Sequence, residues 1–398
     1  MRQRIGISAT GLVTPLGRGK DQVCRALFRG SREGLVARDD LIAGKVVHVG
    51  EVAGDLPEIP AGLERFRSRN NRLLQAAVQQ IAADVGEARE RYGAHRIAVV
   101  LGTSTSGIDE SEAAFKVQRE TGAWPEWFAY EQLEAGAMAD FIADYLELDG
   151  PAYVIATACS SSAKVFASAR RLIELDLCDA AIVGGADSLC RMTLNGFNAL
   201  GALSPGLCNP FSVNRDGINI GEAAVVFLMS REAAPVELLG CGEACDAYHI
   251  SAPEPGGLGA IAAISQALRD SGLDSADIGY VNLHGTGTEH NDKMESIAVN
   301  TVLGPAVPTS STKSLTGHTL GAAGAVEAAF LWLALHPDYG DGLLPPHVWD
   351  GIADPDLAEI ELTDAERRVD LNRTRAMLSS SFAFGGNNVS LIFGRAAT

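Results

Sequence analysis

Short apolar runs alternate along the whole chain with stretches in which apolar residues recur every three or four positions. The short runs are β-branched or small in character and end at glycine or serine, which predicts strands. The clearest of them are IGISATGL, RIAVVLGT, AAIVGGADS and AAVVFLMS. The longer stretches predict helices, and they include NNRLLQAAVQQIAADVGEA, SSAKVFASARRLIELDL and GAIAAISQALRDSG. The alternation indicates an α/β protein whose sheets are largely buried.

The order of elements repeats in outline near residue 234, where SREAAPVELLGCG leaves one strand and enters another. An apolar helix follows, then a strand ending in YVNLHGTGT, further helices, and two closing strands around a glycine turn in residues 375–394. We therefore expect two similar α/β halves, residues 1–233 and 234–398. No apolar run approaches the ~18 to 20 residues that a membrane-spanning helix needs.

Composition narrows the possible classes of protein without changing the predicted fold. The chain has 398 residues, of which 46% are hydrophobic and 21% charged, as in soluble globular proteins. The first residues lack the apolar core of a signal peptide, so a cytoplasmic protein is expected. Seven cysteines are few and odd in number, which argues against a disulfide framework. Cys241 and Cys245 have no second pair at zinc spacing, and we expect no metal site there.

The formal net charge of −18 disfavours nucleic acid as a partner, because phosphate binding needs a basic face. One stretch departs from this balance: ERFRSRNNR, residues 64–72, contains Arg65, Arg67, Arg69 and Arg72. On a helix, Arg65, Arg69 and Arg72 would share one face. That face is either ordinary solvated surface or a docking patch for an acidic partner.

The segment ATACSSS places Cys159 between an apolar strand and a helical pattern, among small side chains. A thiol at a helix N-terminus meets the positive end of the helix dipole and unpaired backbone N–H groups. We therefore expect the pKa of Cys159 to be lowered toward neutrality, as in nucleophilic cysteines. The alternative is a buried cysteine that serves only as a small hydrophobic residue.

Two histidines stand in comparable settings. His284 ends the predicted strand of YVNLHGTGT, where Thr286 and Thr288 offer hydroxyls, although a turn with a capping histidine would read the same way. His318 precedes a helix of small residues and follows Lys313 by five positions. The glycines of TGHTLGAAG match no nucleotide-binding pattern. Near the C-terminus, SFAFGGNN is either an ordinary turn or a loop that carries Phe384 as an apolar lid.

The motifs TACSSS, HGTGT with a following ND-K-x-E, and TKSLTGHTLGAAG resemble those of the β-ketoacyl carrier-protein synthases in kind and order. These are thiolase-fold condensing enzymes of fatty-acid and polyketide synthesis, and the likeness runs from GLVTPLG to SFAFGGNNVSL. The resemblance implies two similar α/β halves with buried mixed sheets in a layered α-β-α-β-α architecture. It also implies a dimer, either of identical chains or with a subunit like a chain-length factor.

The resemblance further implies roles for individual residues. Cys159 matches the nucleophile, His284 and His318 the histidines that assist malonyl decarboxylation, and Lys313 the active-site lysine. Glu295 and Asp292 match acidic residues that support the active site. Thr286 and Thr288 match hydroxyls that contact the phosphopantetheine arm, and Phe384 matches a gating residue whose N–H completes the oxyanion hole. The partner would be acyl carrier protein, docked on Arg65, Arg67, Arg69 and Arg72. No cofactor, metal or nucleotide would be needed, because the substrates ride on the carrier's phosphopantetheine.

Several positions depart from the family pattern, and they bear on the acyl chain. Ala383 and Asn387 alter the gating loop, and Ile218 stands where many relatives have phenylalanine. Ser212 replaces a common aspartate, and Thr105 occupies a place that often carries a bulky gate. A smaller or more polar acyl channel would follow.

These departures resemble the synthases that build aryl-polyene or other polyunsaturated polyketide chains, with fatty-acid elongation as the alternative. A non-catalytic chain-length-factor-like subunit is disfavoured because such subunits lack the cysteine. A cysteine hydrolase would leave the second histidine and Lys313 unexplained.

Overall fold

Strands and helices alternate along the chain as the hydrophobic pattern predicts. The computed structural model describes residues 5–374 and 376–396; Arg375 of the predicted closing hairpin and the start of the chain lie outside the described residues. The strands are β1 Gly6–Thr14, β2 Gly17–Arg18, β3 Leu35–Ile42, β4 Lys45–Gly50, β5 Ile97–Gly102, β6 Ala152–Ile155, β7 Ala180–Asp187, β8 Ile220–Gly221, β9 Ala223–Ser230, β10 Val236–Cys245, β11 Ile278–Asn282, β12 Pro308–Ser310, β13 Glu361–Leu362, β14 Ala376–Ala383 and β15 Asn387–Arg395.

The helices fall where apolar residues recur at helical spacing. They are α1 Lys20–Phe28, α2 Arg69–Val78, α3 Ala82–Tyr92, α4 Ile108–Thr121, α5 Ala137–Leu146, α6 Ser161–Glu174, α7 Arg191–Ala199, α8 Leu258–Ser271, α9 Glu289–Leu303, α10 Lys313–Thr316 and α11 Ala323–Leu335. The predicted helix over residues 70–88 is in fact two, separated by a 3-10 turn at Gln79–Ile81. At this turn the Gln80 amide bonds to both backbone groups of Leu12 on β1, so a tertiary contact interrupts the helix.

One mixed sheet contains two copies of the same strand arrangement. Its order is β13-β12-β11-β14-β15-β10-β1-β9-β7-β5-β6, with β2 paired to β1 at the side. From the centre outward, each half runs antiparallel, antiparallel, parallel and parallel, as β1-β9-β7-β5-β6 and as β10-β15-β14-β11-β12. The halves meet through a short β1–β10 pairing. This repetition confirms the expected two-halved α/β fold, and the exact division at residue 234 stays a prediction.

The helices form three layers around these strands. Helices α6 and α11 share a core with both halves of the sheet, and α11 is buried at every position. Helices α2, α3 and α5 cover one outer face, and α8 and α9 cover the other. The result is the α-β-α-β-α layering. In the described parts of the chain, no helix is both long enough and apolar enough to cross a membrane.

The contact between α6 and α11 depends on Gly324. A Cβ atom at this position would lie 2.7 Å from the Ala163 backbone nitrogen, closer than packed side chains allow. Glycine therefore lets the two central helices approach closely. Because Cys159 precedes α6 and His318 precedes α11, this contact brings together the segments that carry the thiol and one imidazole.

Candidate active site

The thiol of Cys159 sits on a strained turn between β6 and α6. Ala158 adopts φ +52°, a left-handed conformation that costs energy for a residue with a side chain. The Ser161 hydroxyl holds the turn, since it donates to the Ala158 carbonyl at 2.6 Å and accepts from the Thr157 N–H at 2.9 Å. The small residues of ATACSSS thus form the turn that carries Cys159, which is 6% exposed.

His318 approaches this thiol directly. Its Nε2 atom lies 3.1 Å from the Cys159 Sγ atom. Its Nδ1 atom accepts a hydrogen bond from the Leu320 backbone N–H at 3.2 Å. A neutral imidazole carries one hydrogen, so this bond places the hydrogen on Nε2. His318 therefore points an N–H donor at the sulfur and the space beside it.

His284 presents a second donor of the same kind. The residue follows the end of β11, and its ring packs edge-on against the His318 ring with 5.3 Å between centroids. The Lys313 ammonium lies 3.3 Å from the His284 Nδ1 atom, and an ammonium can only donate. The ring hydrogen must therefore sit on Nε2. Burial, reinforced by the Lys313 charge, lowers the pKa of both histidines well below its ordinary value, so both rings are neutral.

Lys313 is itself held by Glu327, a residue that sequence reasoning missed. The two side chains form an ion pair, each only 3% exposed. Burial raises the pKa of Glu327 to about 7, while the Lys313 charge opposes that rise. The available signal was a single charged residue in the otherwise apolar helix AGAVEAAFLWLAL, because a charge in such a helix requires a buried partner.

Glu295 and Asp292 hold the loop that carries His284. The Glu295 carboxylate accepts from the His284 and Gly285 N–H groups, both at 2.6 Å. Asp292 accepts from the Phe211 N–H at 2.8 Å and the Gly287 N–H at 3.2 Å. Burial raises the pKa of Glu295 to about 8 despite these backbone donors. Both carboxyl groups thus bond to the loop that carries His284, and the buttressing role implied by the resemblance stays a prediction.

The expected lowering of the Cys159 pKa is wrong. Burial raises the pKa of this thiol to about 12, and the Lys313 charge and the Phe384 N–H oppose the rise only in part. The helix N-terminus does not outweigh removal of the sulfur from water, because a charged group loses far more by burial than a neutral one. The resting residue is a neutral thiol, and its charge must develop during reaction.

A cavity of about 510 Å³ opens onto Cys159, His284 and His318. Thr286 and Thr288 line its wall with hydroxyls 2.9 Å apart, and Ile218, Ala383 and Phe384 add apolar surface. Phe384 is 38% exposed and its ring centroid lies 5.6 Å from that of Phe197. Phe384 thus lies in the cavity wall with part of its ring exposed, and its role as a lid stays a prediction.

Thr105 does not belong to this cavity wall, which corrects the expectation that it lines the acyl channel. Its side chain is buried, and its hydroxyl lies 2.8 Å from the Asp187 carboxylate, to which it donates. The same hydroxyl accepts from the Ser188 N–H at 3.1 Å. A side chain committed to these bonds faces the end of β7 rather than a substrate.

The arginine cluster is also arranged differently from the prediction. Arg65 lies in a separate 3-10 turn, because α2 begins at Arg69 with Ser68 as its N-cap. Arg69 bonds through two nitrogens to the fully buried Glu222, and Arg72 donates to backbone carbonyls and to Glu58. The docking interpretation is therefore corrected for these two residues.

Of the other two, Arg65 pairs with Asp144 on the surface, and Arg67 is exposed. A docking role for them stays a prediction.

Atoms of Cys159, His284 and His318 lie within 4.8 Å of one another, a spacing that could suit a soft metal ion. The tautomers argue against that use. Both Nε2 atoms carry hydrogen, and moving it to Nδ1 would set it against the Lys313 ammonium in one ring and the Leu320 N–H in the other. The trio fits hydrogen-bond donation to a bound carbonyl better than metal binding.

Family comparison agrees with this geometry. The family model described as "Beta-ketoacyl synthase, N-terminal domain" matches residues 2–234, and "Beta-ketoacyl synthase, C-terminal domain" matches residues 236–348. The chain belongs to the β-ketoacyl synthase family. It is accordingly an acyl-transferring ketosynthase of the thiolase superfamily.

Individual relatives cover nearly the whole chain. Nodulation protein E of Rhizobium meliloti is 31% identical over 408 residues, 99% of each chain. The 3-oxoacyl-[acyl-carrier-protein] synthase 2 of Synechocystis is 30% identical over 416 residues, 98% of each. A solved ketosynthase (ApeO), in complex with its chain length factor (ApeC) from Xenorhabdus doucetiae, is 47% identical with TM-score 0.92, covering 99% of this chain and 98% of that one.

Proposed function

We propose that this ketosynthase extends polyunsaturated polyketide chains on acyl carrier protein, using Cys159 as nucleophile and His284 and His318 as oxyanion donors. The observation that carries the assignment of roles is the convergence of one thiol and two Nε2–H groups on a single cavity. Such donors stabilise negative charge on a carbonyl oxygen, and the thiol accepts an acyl group.

The first half-reaction loads the acyl chain. The Cys159 sulfur attacks the thioester carbonyl of the acyl carrier, the new C–S bond forms, and the carrier's pantetheine sulfur leaves. The thiol proton ends on the departing sulfur, so no net proton is consumed. The backbone N–H groups of Cys159 and Phe384 would hold the oxyanion, consistent with the closeness of the Phe384 N–H to the sulfur.

The second half-reaction forms the carbon–carbon bond. Malonyl carrier protein loses carbon dioxide, and the electron pair of the broken bond becomes an enolate whose oxygen accepts from the Nε2–H groups of His284 and His318. The enolate carbon attacks the acyl group on Cys159, and the C–S bond breaks. The released thiolate takes one proton from solvent, which restores the neutral thiol favoured by burial. The chain gains two carbons.

The preference for polyene chains rests on Ile218 and Ala383 in the cavity wall and on Asn387, which pairs with Ala383 between β14 and β15. The 47% identical ketosynthase–chain length factor complex and a solved ishigamide ketosynthase/chain length factor, 27% identical with TM-score 0.89, support polyketide work. Fatty-acid elongation by the same reaction is the alternative, favoured by relatives named 3-oxoacyl-[acyl-carrier-protein] synthase 2.

We also propose that the chain pairs with a subunit like a chain length factor. Strand β6 ends the sheet order, and all four of its residues, Ala152–Ile155, are half-buried. A terminal strand with apolar residues is suited to continuing its sheet into a partner. The acidic carrier protein would meet Arg65 and Arg67, and its pantetheine arm would reach Thr286 and Thr288 in the cavity wall.

A single-turnover competition tests the substrate assignment. Equal amounts of octanoyl and octatrienoyl carrier protein, with malonyl carrier protein, would be mixed with the enzyme, and extended products quantified by mass spectrometry. We expect the polyenoyl chain to be extended in preference, and no product with Cys159→Ala. Preference for the saturated chain would reject the polyene assignment and favour fatty-acid elongation. Extension by Cys159→Ala would reject the assigned nucleophile.

A further inference from the structure

The carboxylate of Asp187 is fully buried at the end of β7, next to the active site but outside the set of residues used above. Among the described residues, five hydrogen bonds reach it. Four reach Oδ1, from the Thr103 hydroxyl (2.7 Å), the Ser104 and Thr105 N–H groups (both 2.8 Å) and the Thr105 hydroxyl (2.8 Å). The fifth reaches Oδ2, from the Ala322 N–H (3.2 Å).

The two oxygens hold two different segments. Oδ1 gathers residues 103–105, and from that loop the Ser104 hydroxyl donates to the Ala158 carbonyl at 3.2 Å, immediately before Cys159. Oδ2 holds the 3-10 turn Leu320–Ala322 that follows His318. Leu320 in that turn has φ +51° and donates the N–H that fixes the His318 tautomer.

A carboxylate satisfies all five of these donors, although burial raises the pKa of Asp187 above its ordinary value. Three of the five donors are backbone N–H groups, which cannot reverse their role, and they converge on one side chain. A buried carboxylate is costly unless it is richly hydrogen-bonded, and here the donors supply that compensation. The strained turn at Leu320 likewise persists only if its surroundings hold it.

We propose that Asp187 is a positioning residue for condensation: it anchors the Leu320–Ala322 turn, so that His318 keeps its hydrogen on Nε2 and aims it at the substrate oxygen. The inference rests on the roles proposed above for Cys159 and His318. The Asp187 carboxylate does not touch substrate in this proposal, but it specifically affects the second half-reaction. Loading of Cys159, which relies on backbone N–H groups, depends on it much less.

The variant Asp187→Asn separates the two segments. Four donors face the Oδ1 position and one faces the Oδ2 position, so the amide oxygen should take the place of Oδ1. The bonds to residues 103–105 therefore remain. The amide nitrogen then faces the Ala322 N–H, donor against donor, and that link alone is broken. Thr105→Val is the control, because it removes one bond to Oδ1 and the bond from the Ser188 N–H but leaves the Ala322 link intact.

Three measurements would be made on each folded protein: the rate of Cys159 acylation, the rate of malonyl carrier-protein decarboxylation, and the pH dependence of iodoacetamide alkylation. For Asp187→Asn we expect decarboxylation to fall by about tenfold to a hundredfold, as a misplaced catalytic group does, with no loss of acylation rate. Thr105→Val should leave decarboxylation nearly unchanged.

Alkylation supplies a readout that a merely structural residue would not move. The charged and titratable groups facing the thiol are Lys313, Asp187, Glu327, His284 and His318. Removing the negative charge of Asp187 should shift the alkylation profile to lower pH, so that the thiol reacts faster at a given pH while condensation slows. If Asp187 only stabilised the fold, its replacement would slow both the alkylation of Cys159 and condensation.

The outcomes are distinct. Equal loss of acylation and decarboxylation with an unshifted alkylation profile, or wild-type decarboxylation by Asp187→Asn, would overturn the inference. If the wild type itself forms no acyl adduct at Cys159, the proposed function fails instead. Should Asp187→Asn not fold, Ala322→Pro removes the bond to Asp187 from the other side at a compatible φ of −79°, together with the Ala322 N–H bond to the Thr319 carbonyl, and the same split between half-reactions is expected.

Discussion

Replacing Glu327 with leucine would leave the Lys313 ammonium buried without its carboxylate. Both side chains of this pair are only 3% exposed, so water cannot take the place of the lost partner. Breaking such a pair from one side costs about 3–5 kcal/mol, whereas replacing both charges by apolar groups of similar volume is often nearly neutral. We therefore expect Glu327→Leu to lose about 3–5 kcal/mol of unfolding free energy and Lys313→Met/Glu327→Leu to recover most of it.

Activity should not recover with stability. Lys313 is the donor that keeps the hydrogen of His284 on Nε2, and methionine cannot donate. Loss of one oriented oxyanion donor costs about 10²–10³ in rate, so the stable double variant should decarboxylate malonyl carrier protein that much more slowly. Urea unfolding followed by circular dichroism gives the stabilities, and carbon dioxide release gives the rates. A double variant as unstable as Glu327→Leu, or one with wild-type decarboxylation, would refute the reasoning.

Four further predictions follow from the same structure. Because burial raises the pKa of Cys159 to about 12, iodoacetamide alkylation should accelerate about tenfold per pH unit from about pH 7 to 10; a plateau below about pH 9 would contradict this. Arg69→Met should cost about 3 kcal/mol, measured by urea unfolding, because Glu222 loses its buried partner. Arg67→Glu should instead raise the KM for carrier protein and leave the free energy of unfolding unchanged. A loss of stability in Arg67→Glu together with a raised KM in Arg69→Met would reject the structural role of Arg69 and the docking role of Arg67. Gly324→Val should lower thermal stability and acylation rate together by forcing α11 away from α6, and unchanged values would show that the helices can shift.

Local pattern was enough to predict most strands and helices of this chain. The four quoted strands and the central helix after Cys159 appear where the hydrophobic periodicity places them. The split between α2 and α3 was not predictable, because it depends on Gln80 reaching Leu12 on a strand 68 residues away in sequence. Helical spacing carries no information about such a bond.

Charged and titratable residues show the same limit more clearly. Motifs located Cys159 and both histidines, but the direction of the thiol's pKa depends on how far the fold removes it from water. The arginine stretch looked like an exposed face, yet Arg69 turns inward to Glu222, which lies 153 residues later. Asp187 ends a buried strand in AAIVGGADS, and that placement was the available signal for a carboxylate with a role inside the protein.

The central claim is that Cys159 carries the growing chain, and intact mass spectrometry tests it most directly. The protein would be mixed with saturated, polyenoyl and aryl-primed acyl carrier proteins, alone and with a chain-length-factor subunit, beside Cys159→Ala. We predict a mass increment equal to the acyl group on the wild type and none on the variant. An equal increment on Cys159→Ala, or no increment with any chain and either assembly while iodoacetamide still alkylates Cys159, would contradict the account.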